Sequence, residues 1–176
     1  GLPVTFDALQ SIAKELPLEE QLSEMRREND RGARIVAQIA LRGNGIIMCW
    51  RGTVHPFLFK PAWAEIAALP WAEQYARLND PAFRTRMLAE TPVFPDSDVL
   101  PLLHTIAGGW TEQFEMGPDF DYEPGADESI AARARAAGLH PEEYAYDLLM
   151  AEEGAGFIYF PILNYADGNL DFVKPM

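Results

Sequence analysis

The side chains best suited to chemistry in this sequence are three histidines (His55, His104 and His140), one cysteine (Cys49), and an acidic run of Asp119, Asp121 and Glu123. A metal centre needs imidazoles at short spacing, such as H-x-H or H-E-x-x-H, to bring two ligands to one ion. These histidines stand far apart with no such spacing around them. Cys49 sits between Met48 and Trp50; apolar surroundings raise a thiol's pKa, so buried filler is expected rather than a nucleophile. The acidic run alternates with Phe120 and Tyr122 and lacks the glycine turn of a calcium loop, so it reads as a solvated edge. His140, directly before Pro141, suits a helix cap or the surface. His55 lies in Arg51-Gly52-Thr53-Val54-His55-Pro56. This is a glycine-containing loop a short distance past a strand end, where α/β proteins keep their ligand contacts. No G-x-S-x-G elbow, P-loop or G-x-G-x-x-G is present, and Arg42-Gly43-Asn44-Gly45 reads as a turn.

The elements that must position these residues follow from periodicity. Val4 to Leu9 reads as a first strand. A helix is predicted from Pro17 at N1, with Leu18, Leu22 and Met25 on one face, Glu19 and Glu20 in its first turn, Arg26 and Arg27 near its end, and Gly32 as its stop. Ala33 to Leu41 is a second apolar run of strand length. Strand, helix, strand over residues 3 to 41 implies a βαβ unit and a parallel sheet covered on both faces. From 42 to 125 prolines divide the chain into short pieces. Helices are predicted there over Trp71 to Leu78 and Pro81 to Glu90, and the aromatics, Trp50, Phe57, Phe59, Trp63, Trp71, Tyr75 and Phe83, suit either a ligand-pocket lining or, more simply, burial among themselves. Asp127 is the expected N-cap of a helix over Glu128 to Ala137 ended by Gly138. Pro141 opens a second helix to about Glu153, stopped by Gly154, and Gly156 to Leu163 is the last strand. The expected organisation is one domain overall, with a βαβ segment over 1–41, an insertion-like region over 42–125, and a helical hairpin and strand over 126–176.

Composition narrows the function class. The 176 residues are 48% hydrophobic, enough for a core. The net charge of −13 repels phosphate backbones and anionic lipid, so neither nucleic acid nor a membrane is an expected partner. No apolar run approaches the roughly 20 residues that span a bilayer, and a lone cysteine suits a reducing, cytoplasmic compartment. The chain opens on Leu2-Pro3-Val4-Thr5-Phe6 without a start Met and stops at Val173-Lys174-Pro175-Met176 without a polar tail. Both ends read as cuts, so a fragment that is inactive alone is expected.

Several segments, in order, resemble the D-aminoacylase type of the amidohydrolase superfamily, the N-acyl-D-amino-acid deacylases. They are residues 1 to 10 (GLPVTFDALQ), Gly52-Thr53-Val54-His55-Pro56-Phe57, Pro61-Ala62-Trp63, the Leu78-Asn79-Asp80-Pro81-Ala82-Phe83 stretch through Glu90, and residues 132 to 171, including Asp147-Leu148-Leu149 and Asn164-Tyr165-Ala166-Asp167-Gly168-Asn169-Leu170. The resemblance implies a TIM-like barrel that binds zinc, activates water and hydrolyses the amide of a small N-acyl amino acid. It also implies that the H-x-H ligands and the catalytic Asp fall outside these 176 residues. Departures are informative. The family's Ser-His-Leu-Lys frame is Asp7-Ala8-Leu9-Gln10 here, so Ala8 stands at a His ligand's position and Gln10 at that of the substrate-binding Lys. They imply an altered metal site, or another amide or cyclic amide as substrate.

The expectation is therefore an α/β chain, a partial TIM-like barrel (βαβ unit) with a helix-rich insertion, from a parent that hydrolyses C–N bonds. Asp7 and Gln10 at one strand end, and Arg42, Arg51 and His55 after the next, are the candidate substrate contacts, with Asp7 equally open to a structural role. No catalytic or metal-ligating residue is assigned, and zinc is expected in the parent rather than in these residues. A homo-oligomer is a further expectation, because an opened barrel leaves sheet edges uncovered. The competing readings are a non-enzymatic binding module and a catalytically degenerate homologue.

Overall fold

The computed structural model describes residues 2–10, 17–165, 167–171 and 174. Gly1 and Ala166 of the resembling segments, and Val173, Pro175 and Met176 of the C-terminal stretch, lie outside the described residues. The chain is mixed α/β, with seven α-helices and two small sheets among the described residues. Its contacts fall into two compact units. One is made of residues 1–46, 121–125 and 161–176, the other of 47–120 and 126–160.

In the first unit, β1 (Val4–Asp7) and β2 (Ile35–Gln38) pair in parallel, with Val4 opposite Ile35 and Asp7 opposite Gln38. Between them runs α1 (Leu18–Asp30), with Pro17 as the cap residue rather than inside the first turn. Its C-terminus turns through Gly32 at φ +97°, a conformation that costs glycine little. The Asn29 amide then exchanges two hydrogen bonds with the backbone of Ile35, at 2.9 and 2.8 Å, and so fixes where β2 begins.

β3 (Asn44–Met48) starts inside the stretch that reads as a turn from sequence. Beyond it the period-2 alternation buries Met48 and Trp50 and leaves Cys49 partly exposed, so the thiol is not the buried filler its apolar neighbours suggest. The second unit continues through α2 (Pro61–Ile66), α3 (Trp71–Leu78), α4 (Pro81–Ala89) and α5 (Leu100–Gly108) to β4 (Phe114–Met116). It then runs through α6 (Ile130–Ala137) and α7 (Pro141–Gly154) into β5 (Phe157–Leu163). β5 is the middle strand of the order β3-β5-β4, and its antiparallel register with β4 covers only Phe157 to Tyr159, so Pro161 faces no β4 acceptor.

Local chemistry explains the helix starts. Asp80 caps α4 by accepting from the Ala82 amide, and His140 Nδ1 accepts from the Glu142 amide at the start of α7. Ser129, not Asp127, caps α6, because residues 126–128 form a 3-10 turn that ends before the helix begins. The insertion-like region and the helical hairpin share one core: Trp50 stacks on Phe57 and Trp63, and Tyr146 of α7 packs edge-on against Trp50 and donates its hydroxyl to the Leu78 carbonyl at 2.7 Å. That shared core puts residues 47–120 and 126–160 in one unit.

The end of α7 departs from the regular helix read from sequence. Ala151 is extended, and Glu152, Glu153 and Gly154 follow with φ of 49°, 59° and 82°. Left-handed backbone costs an ordinary side chain about 1–2 kcal/mol. Gly154 at least is obligatory, since a Cβ there would meet the Trp71 ring at 2.6 Å.

Candidate functional site

The C-terminal ends of β1 and β2 converge in the first unit, the end of a parallel sheet where ligand contacts concentrate. Asp7 closes β1 with an exposed side chain, and Ala8 behind it is fully buried. Gln10 is held three times: its amide nitrogen donates to Asn164 Oδ1 at 3.0 Å, its carbonyl accepts from the Asn164 amide at 2.7 Å, and its Nε2 donates to Asp167 Oδ2 at 3.0 Å. Asn164 Nδ2 in turn donates to the Ala40 carbonyl at 2.9 Å and to that of Arg42 at 3.4 Å. One fully buried amide thus ties the segments that follow both strands, and carries Gln10 and the Arg42 backbone to one rim.

Asn164 was not among the candidates read from sequence. Its signal is positional. It sits at φ +63°, a region that asparagine tolerates better than most residues, immediately after the last residue of β5. The sequence suggests a turn there, but not that the side chain points inward.

Arg51 and His55 belong to the second unit, where their surroundings are different. Arg51 is exposed, its guanidinium 5.6 Å from the centroid of the Trp71 ring. His55 is fully buried, with its ring edge-on to Trp63 at 4.3 Å and tilted against Trp50 at 5.0 Å. Neither imidazole nitrogen has a hydrogen-bond partner among the described residues, and burial pulls its pKa down to about 3, so it is neutral at physiological pH. Nearby, Lys60 is buried as an ion pair with Glu142 at 2.6 Å and also donates to the Glu90 carbonyl.

The zinc implied by the resemblance does not fit the residues present. Among the described residues no group of three or more His, Cys, Asp or Glu can hold a metal ion, and Ala8 offers no donor atom. Also among them, no helix is long and apolar enough to cross a membrane. No protein-family model, curated protein or solved structure matches this chain.

Proposed function

We propose that this chain supplies part of a TIM-like barrel and its catalytic rim to an amidohydrolase that cleaves C–N bonds in small N-acyl amino acids or related amides. One observation carries the reading. The face of the β1–β2 pair bearing Thr5, Asp7, Val36 and Gln38 is exposed along its whole length, while Phe6, Ile35 and Ala37 on the other face are partly covered. Parallel sheets are found covered on both faces, so a bare face calls for another layer, and in a barrel that layer is the interior.

In this reading the rim beyond β1 and β2 meets the substrate. The Arg42 guanidinium suits a substrate carboxylate, to which it can donate in a bidentate fashion, and the Asp7 carboxylate suits an amide N–H. Gln10 replaces a cation with a neutral amide, and the Asn164 bonds that fix its backbone hold it in place. In the second unit, Arg51 is an exposed cation beside Trp71, while His55 shapes its loop from the core rather than touching solvent. A zinc ion in this reading would be held by residues other than these and would supply the activated water.

The test is zinc content and N-acetyl-D-amino-acid hydrolysis, measured on this chain and on a longer product of the same gene. Metal and turnover in the longer product alone support the proposal. Neither property in either protein overturns it, and turnover by the 176 residues alone overturns the placement of the reacting groups elsewhere.

A further inference from the structure

Apart from the rim of the parallel strands, the second unit contains a cavity of about 500 Å³, within the range of small-molecule sites. It shares no residue with the candidates discussed above. One wall is the β4–β5 ladder, where Met116 lies opposite Phe157; the other is the end of α7, with Leu148 and Glu152. Its shape is built into the backbone. A Cβ on Gly156 would lie 1.9 Å from the Leu148 carbonyl oxygen, so only glycine lets the chain fold back there, and Glu152 is held in the left-handed conformation on the rim.

The lining is apolar around two carboxylates of different character. Glu115 is committed: Arg133 and Tyr144 both donate to its Oε2, at 3.2 and 3.1 Å. The Glu152 side chain has no hydrogen bond or ion pair with any described residue. Phe157, at the same opening, remains 42% exposed, an apolar side chain left wet beside a concave apolar surface. We infer that this cavity binds a small aliphatic ammonium compound, with its hydrocarbon on Met116, Leu148 and Phe157 and its N–H donors on Glu152. The net charge of −13 favours the same sign of ligand at longer range.

The inference is independent of the hydrolase reading and is tested on this chain as it stands. Backbone amide NMR shifts are followed while the protein is titrated with n-hexylammonium, 1-hexanol or hexanoate. Shifts centred on Gly117, Glu152 and Gly156 are expected, with a Kd of about 1–10 mM for an ammonium ligand of this size. The expected preference over hexanol is about fivefold, the scale of one partly exposed charge pair. Glu152→Gln should abolish that preference without changing the affinity for hexanol. Ala155→Trp, at an exposed lining position, should fill the cavity and abolish binding of both, with amide dispersion showing that each variant folds. Shifts centred elsewhere, equal affinity for hexanol and hexylammonium, or an unchanged preference in Glu152→Gln would each overturn the inference.

Discussion

A buried amide of the first unit and three buried ring nitrogens of the second are held in opposite ways. At the rim of β1 and β2, the buried Asn164 side chain is hydrogen-bonded at both its oxygen and its nitrogen, and Gln10 is fixed at its backbone and its side chain. In the aromatic core, the His55 ring nitrogens and the Trp50 indole nitrogen are buried without partners among the described residues. A satisfied buried amide positions the backbone around it. An unsatisfied imidazole is kept neutral by desolvation and contributes shape, while adding a free-energy cost that the surrounding rings must offset. A candidate residue near a strand end therefore has to be judged by its solvation before its position.

The largest expected effect comes from breaking the aromatic side of this contrast. Trp50→Ala should lower unfolding free energy by about 3–5 kcal/mol in urea denaturation, because it empties the space between Phe57, Trp63 and Tyr146. Asn164→Ala should cost about 1–3 kcal/mol, since it removes the bonds that its side chain makes to the partly buried Gln10 amide and Ala40 carbonyl. Hydrogen exchange should show that loss at residues 8–10 and 38–42, while the aromatic core stays protected.

Acid sharpens the comparison. His55 has a folded pKa of about 3 against 6.5 for the free side chain, so between those values the unfolded chain binds a proton that the folded chain refuses. The His55 contribution to stability is complete above about pH 6.5 and falls by up to about 1.4 kcal/mol per pH unit on the way down, levelling below about pH 3. Chemical denaturation of the parent and of His55→Phe at pH 7, 5 and 4 checks this; the variant should lose the His55 share of the slope. At pH 7 the same variant should be within about 1 kcal/mol of the parent, since an apolar ring leaves no nitrogen unpaired. The smallest effect is expected at the partly exposed Arg84 bridge to Asp147 and Glu143: Arg84→Ala should cost about 1 kcal/mol, and less in high salt.

Elements with a local signal were legible in the sequence. The proline-opened helices α4 and α7, the αL glycine after α6, and the strand–helix–strand order of residues 4–38 all depend on neighbours a few positions away. β3 was hidden because Gly43 and Gly45 suggest a turn, and only pairing within the sheet makes Asn44 to Met48 a strand. The left-handed end of α7 was hidden as well, because Glu152 and Glu153 are ordinary helix formers in a segment where Gly154 packs on the distant Trp71 and Gly156 on the Leu148 backbone.

The candidate site divides along the same line. Sequence placed Asp7, Gln10 and Arg42 after two successive strands, and chain order alone brings them to one end of a parallel pair. It gave no means of telling Arg51, which stays in water beside Trp71, from His55 four residues on, which is sealed between Trp50 and Trp63. Nor could it show that Asn164, more than 120 residues from Arg42, bonds to that residue's backbone. Residue type and spacing determine which hydrogen bonds and turns are locally available. Burial and partner choice depend on contacts between distant segments, and only the tertiary structure decides those.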